Sequence, residues 1–125
     1  VKAVLDAGAF VAVDKGDRRM AARLRVLQQV RMPLSTSSAV IAQVWRDGPK
    51  QAHVARLLSG VAVRALGPGD DRRTGELLAT ARTSDVIDAH VALIVDDDDR
   101  VYTSDPDDIR RLVAARGVTA TIVTV

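Results

Sequence analysis

Short apolar runs and longer stretches of helical periodicity alternate along this chain. Val1–Asp6 is an apolar run that ends in a carboxylate, and it predicts a first strand. Ala7–Asp14 is apolar enough for a short buried helix, closed by the turn-forming Lys15-Gly16-Asp17. Arg18–Arg31 carries Met20, Leu24, Leu27 and Val30 at helical spacing with Arg19, Arg23 and Arg25 on the other face, the pattern of an amphipathic helix. Pro33–Thr36 predicts a second strand. Ser37 or Ser38 then caps a helix to about Arg46, with Val40, Ile41, Val44 and Trp45 as its apolar face.

The alternation continues in the second half. Asp47-Gly48 breaks the chain, and Pro49 suits the first turn of a helix that runs to Ser59 and stops at Gly60. Val61–Leu66 predicts a strand, Asp70 or Asp71 the cap of a helix to Arg82, and Thr83-Ser84-Asp85 the cap of another through Val95. Asp96–Asp99 reads as a solvated turn, without the ligand spacing of a calcium loop. Arg100–Ser104 predicts a strand, Pro106–Arg116 a helix ended by Gly117, and Thr119–Val125 a last strand. Strands separated by helices need crossover connections. The expected fold is therefore α/β: a three-layer α/β/α sandwich around a mostly parallel sheet, as one domain over residues 1–125.

Composition narrows the chemistry. Hydrophobic residues make up 47% of the chain and charged ones 27%, the balance of a soluble globular domain. The absence of cysteine excludes disulfides, thiolate zinc sites, iron–sulfur clusters and a cysteine nucleophile. His53 and His90 stand alone and far apart, which argues against a histidine-rich metal site. No apolar run approaches the roughly 20 residues that span a bilayer, and no signal-peptide pattern is seen at the start, so no membrane partner and a cytoplasmic location are expected. A net charge of +2 permits an acidic partner such as nucleic acid without requiring one. Phe10, Trp45 and Tyr102 are the only aromatics, too few for a base-stacking platform.

The acids are lopsided: 15 Asp against the single Glu76. Ligands bind outside the carboxyl ends of the strands in such sheets. Asp6 closes the first strand and Asp105 the Arg100–Ser104 strand, so both belong to that edge. Asp85 and Asp88, three apart at a helix start, share a face. Carboxylates crowded together repel, and a hard divalent cation, Mg²⁺ or Mn²⁺, offsets that repulsion through oxygen ligands. Such a site suits phosphodiester hydrolysis. Plainer roles stand beside these. Asp105-Pro106-Asp107-Asp108 is a good helix start, and Asp85 is a good cap. Asp6 has no clear capping pattern, Asp88 sits on the rim of an apolar helix and needs a partner, and His90 points away from Asp88 toward packing or surface.

Four segments together resemble the PIN-domain family, and within it the VapC-like toxins of toxin–antitoxin pairs. They are Val4-Leu5-Asp6-Ala7-Gly8-Ala9-Phe10, Ser38–Arg46, Ser84–Ala92 and Tyr102–Ile109, in the family's order and spanning nearly the whole chain. The resemblance implies a small parallel-sheet fold, Mg²⁺ or Mn²⁺ dependence, cleavage of single-stranded RNA, a cognate antitoxin and a homodimer. By position, Asp6, Asp88 and Asp105 match the family's first acid, helix acid and late-strand acid, and Asp107 or Asp108 the outer-shell carboxylate. Gln43 stands where the family usually carries Glu, which removes one negative charge; Asp85 is a candidate to restore it. Arg46 is the first candidate to meet RNA. The helical hairpin Val40–Leu58 with Trp45 is a candidate dimer surface, with core packing as the plainer role.

The leading expectation is thus a metal-dependent endoribonuclease toxin. The alternative is a catalytically weakened domain of the same fold that binds RNA or the antitoxin. A receiver domain would want a lysine at a late strand end, and all three lysines lie in the first half. A dehalogenase-type phosphatase would want an acid where Gly8 stands.

Overall fold

The computed structural model describes all residues 1–125. Its strands are β1 (Ala3–Leu5), β2 (Leu34–Ser37), β3 (Val61–Arg64), β4 (Arg100–Thr103) and β5 (Thr121–Thr124). They form one sheet in the order β3-β2-β1-β4-β5, with every neighbouring pair parallel. The helices are α1 (Ala7–Asp14), α2 (Arg18–Gln29), α3 (Ser38–Val44), α4 (Ala52–Leu58), α5 (Asp70–Ala81), α6 (Val86–Ile94) and α7 (Pro106–Ala115). Helix α1 packs against α2, α3, α4 and β4, while α5, α6 and α7 pack together with α6 on β2 and α7 on β5. The result is the expected three-layer sandwich. The central strand is buried on both faces, and its residues Ala3, Val4 and Leu5 join Phe10, Val40, Val91, Val101 and Ile109 in one core.

Register decides which side chains meet. Leu5 pairs with Tyr102 in the parallel ladder, so the next residues, Asp6 and Thr103, lie side by side at the carboxyl edge. The same edge is tied internally: Thr36 Oγ1 donates to Leu5 O at 2.7 Å, and Asp6 N donates to Tyr102 O at 3.0 Å.

Several expectations need correction. Pro49 does not open α4. It sits in a separate 3-10 turn, Gly48–Lys50, and α4 begins only at Ala52. The reason is Gln51, buried between the two. Its Oε1 accepts from the backbone N–H of Arg46 (2.7 Å) and Asp47 (2.9 Å), and its Nε2 donates to Val44 O (2.9 Å) and Asp14 Oδ2 (3.3 Å). Neither Asp70 nor Asp71 is the cap of α5. Gly69, in the left-handed region at φ 85°, takes that place, and both acids fall in the first turn, where they favour the positive helix end.

The turn Asp96–Asp99 is not simply solvated. Asp99 is 1% exposed and receives Lys2 twice, from its backbone N at 2.8 Å and its Nζ at 2.6 Å, while Asp96 N donates to its Oδ2 at 2.8 Å. Lys2 also reaches Asp96 Oδ2 at 2.8 Å. Burial pushes the Asp99 carboxyl up, but these hydrogen bonds and the lysine charge outweigh it and hold the group below its ordinary value. A depressed carboxyl stabilises the fold above its unfolded pKa of about 3.9, and that contribution disappears as pH falls through the folded value. We expect Lys2→Met to leave a buried unpaired carboxylate and to lower the unfolding free energy by about 3 kcal/mol in urea titrations at pH 7. The deficit should shrink when the titration is repeated near pH 3.

Candidate metal centre at the carboxyl edge of the sheet

Each acid reaches the site by a different local device. Asp6 follows β1 and is the N-cap of α1: its Oδ1 accepts from Ala7 N at 2.8 Å. This corrects the expectation that it had no capping role. Its Oδ2 accepts from Thr103 Oγ1 at 2.7 Å, and the same hydroxyl accepts from Asp105 N at 3.0 Å. Thr103 thereby joins the first acid to the loop carrying the last. The signal for Thr103 is the parallel register, because it sets Asp6 beside Thr103.

Asp105 occupies the N-cap position of α7, yet its side chain makes no capping bond. The helix-start reading therefore holds by position, with Pro106 next and Asp107 and Asp108 in the first turn, while the Asp105 carboxylate is not used in capping. Asp85 does cap α6, its Oδ1 accepting from Asp88 N at 3.0 Å. Asp88 lies in the first turn of α6, is 6% exposed, and its Oδ2 has no hydrogen-bond partner.

One carboxylate oxygen from each of Asp88, Asp105 and Asp108 falls within 4.8 Å of the others. Asp108, expected only in an outer shell, therefore belongs to the tightest cluster, where its Oδ2 also accepts from Thr83 Oγ1 at 3.3 Å. Asp107 points to solvent, 91% exposed and paired with Arg110 at 3.3 Å. Asp6 and Asp85 stand outside this triplet, but their charge reaches it.

Burial, then the negative charges of Asp6, Asp85 and Asp105, push the Asp88 carboxyl up to about 8. Burial also raises Asp6, against the bonds from Thr103 and Ala7, and Asp85 and Asp105 raise it further. A buried carboxyl with an unpartnered oxygen, surrounded by like charge, forms with Asp105 and Asp108 a cluster that could bind a metal ion. All-oxygen ligands at this spacing fit Mg²⁺ or Mn²⁺.

The other expected residues have different surroundings. Gln43 is exposed on α3 and makes no side-chain hydrogen bond. Arg46 is exposed and folds back on the end of α3, its Nη1 donating to Ala42 O at 3.0 Å and Trp45 O at 2.7 Å. His90 is buried as packing, with Nδ1 2.6 Å from Ser37 Oγ, and burial lowers its pKa. In the hairpin Val40–Leu58, Val40, Val54 and Leu57 belong to the core, while Trp45 is part-exposed. Two further residues pack the elements that carry the acids. Arg116, just past the end of α7, donates to Ala92 O at 2.7 Å and to Val95 O, closing the far end of α6. Gly8 lies against Ser104: a Cβ there would sit 2.5 Å from its Oγ and 2.9 Å from its backbone N.

No protein-family model and no curated protein matches this chain. Among solved structures, a chain of VapBC2 from Rickettsia felis, crystallised bound to a DNA fragment from their promoter, aligns with a TM-score of 0.69. The alignment covers 98% of this chain and 99% of that one at 15% identity. The chain thus has the PIN-like three-layer fold, reached through a largely different sequence. None of its helices is long and apolar enough to cross a membrane.

The raised Asp88 carboxyl has a definite sign. A proton held more tightly by the folded state stabilises it below the raised pKa, so stability without metal falls as pH rises from about 4 toward about 8. Calorimetry on metal-free protein should show the Tm dropping by several degrees between pH 5 and pH 8. Asp88→Asn should flatten that slope, and millimolar Mn²⁺ should reverse it; a Tm that climbs across this range without metal would contradict the assignment. Gly8→Ala should destabilise the protein by about 1–3 kcal/mol, because the new methyl meets backbone as well as side chain.

Proposed function

We propose that this chain is a PIN-type, metal-dependent endoribonuclease, the toxin of a toxin–antitoxin pair. The observation that carries this reading is the unpartnered Oδ2 of buried Asp88, facing a cluster with Asp105 and Asp108 at the carboxyl edge. Asp88, Asp105 and Asp108 would hold Mg²⁺ or Mn²⁺, with Asp6 beside them and Asp85 adding charge. The bound cation supplies a lowered pKa to an attacking water and charge neutralisation to a scissile phosphate. The chain's own part is to position the acids. Thr103 holds Asp6 and the Asp105 backbone in register, the α1 N-terminus fixes Asp6, and Asp85 fixes the first turn of α6. Single-stranded RNA is the substrate this site would take, with Arg46 at the end of α3 as the first arginine to meet it. The likeness to a VapBC2 chain and the four motif segments support a cognate antitoxin and a homodimer as partners, and the cytoplasm as the location.

A second reading keeps the fold and drops the turnover. Gln43 favours it, because the residue replacing the family's Glu is neutral, exposed and unbonded. Such a protein would bind RNA or the antitoxin without cutting.

The two readings differ in one assay. Purified protein should cleave single-stranded RNA with Mn²⁺ or Mg²⁺ and stop when EDTA is added. Asp88→Asn and Asp105→Asn should each reduce the rate by roughly a hundredfold or more, the range expected for loss of a charge-stabilising group. Gln43→Glu should raise the rate and tighten metal binding. Cleavage that survives EDTA, or persists in both Asn variants, would refute the site; RNA binding with no cleavage in wild type or Gln43→Glu would establish the second reading.

A further inference from the structure

Helix α6 carries the acid with the unpartnered oxygen, and it is buried round most of its circumference. Asp88, Ala89, His90, Val91, Ala92 and Ile94 are all buried. The helix therefore has no single apolar stripe whose burial would fix its rotation. The small side chains of Ala89 and Ala92 add little relief to lock it against its neighbours. Yet the site needs one defined rotation, because turning α6 about its axis would carry the Asp88 carboxylate away from Asp105 and Asp108.

Polar contacts supply what apolar packing does not. Asp85 holds the first turn by accepting from Asp88 N at 3.0 Å. Arg116 holds the far end through Ala92 O and Val95 O. Between these ends one side-chain bond ties α6 to the sheet: His90 Nδ1 lies 2.6 Å from Ser37 Oγ. Ser37 is 0% and His90 2% exposed. Ser37 ends β2 and is the N-cap of α3, its hydroxyl also accepting from Ala39 N at 3.0 Å. A single buried hydroxyl thus joins the carboxyl edge of the sheet, the start of α3 and the side of α6.

Helical phase connects this bond to the acids. His90 follows Asp88 by two residues, which places it about 200° round the helix. A tether at His90 therefore holds, from behind, the face that presents Asp88. A buried Ser–His pair can also serve as an activated nucleophile, but fully buried Ser37 leaves no room for a substrate to reach its oxygen. We infer that Ser37 and His90 are positioning residues for the metal centre: their hydrogen bond fixes the rotation of α6 and so directs the Asp88 carboxylate at the cation. The inference rests on the metal-dependent reading of the carboxyl edge and adds to it two residues outside the acidic cluster, which act only through α6.

The test is Mn²⁺ affinity of the full chain, read by electron paramagnetic resonance, in which the signal of the free aqueous ion is lost on binding. His90→Leu keeps the bulk of the side chain and removes the polar atom; His90→Asn returns a polar atom at the place of Nδ1. His90→Leu should weaken Mn²⁺ binding by roughly tenfold, the low end of the range for outer-shell partners of metal ligands. His90→Asn should recover most of the loss. Ser37→Ala should weaken binding by a similar factor and the double variant Ser37→Ala/His90→Leu no further, because all three lose the same bond. Leu57→Ala, in the buried face of α4 that packs on α1 and β3, should lower the Tm and leave Mn²⁺ affinity unchanged. Wild-type affinity in His90→Leu, no recovery in His90→Asn, additive losses in the double variant, or an equal loss in Leu57→Ala would each overturn the inference. Should circular dichroism show His90→Leu unfolded, Ser37→Ala decides by the same criterion. Asp88→Asn separates the two readings. If it binds Mn²⁺ as tightly as wild type, the metal reading falls and this one with it; if it binds weakly while His90→Leu matches wild type, this one falls alone.

Discussion

Mutual repulsion among carboxylates is the constraint around which this fold is organised. Asp6, Asp85, Asp88, Asp105 and Asp108 gather at one edge, and burial makes the repulsion stronger. The scaffold answers it without placing a single basic side chain in the tight cluster. Helix N-termini take part of the charge, with Asp6 capping α1 and Asp85 capping α6. Hydroxyls take another part, Thr103 at Asp6 and Thr83 at Asp108. The rest falls on Asp88, whose carboxyl is driven high and whose Oδ2 is buried and unpartnered.

The two ends of the sheet treat the same residue type in opposite ways. At the amino edge, Asp99 is buried with a lysine and three hydrogen bonds, and its carboxyl is held low. At the carboxyl edge, Asp88 is buried among acids and its carboxyl is driven high. One end spends a charge on closing the fold, joining residue 2 to the loop before β4. The other leaves a carboxyl without a basic partner, and it holds its proton instead. The difference lies in partners, not in burial.

Much of this was legible in the chain. Period-2 and period-3.6 runs are strong signals when each element is short and bounded by Gly, Pro or Ser, and all five strands and the principal helices followed from them. Asp6 and Asp105 were placed at one edge because parallel strands all end on the same side. Contacts between distant residues were not legible. Nothing near Asp99 in sequence announces Lys2, and nothing near Gln51 announces Asp14. Asp107 and Asp108 could not be separated by type; only the helical phase of α7 turns one to solvent and the other to the cluster. Asp70 lost the capping role to Gly69 because a left-handed backbone is needed where that loop enters α5.

Asp6 carries both a structural and an electrostatic duty, since its two oxygens hold α1 and Thr103 while its charge faces the cluster. Gln43 carries neither, being exposed and unbonded on a short helix. A change at position 43 breaks no side-chain hydrogen bond, whereas a change at position 6 undoes a helix start and an interstrand tie at once. The carboxyl edge is therefore most constrained where one carboxylate serves two elements, and position 6 tolerates only a residue that both caps α1 and accepts from Thr103.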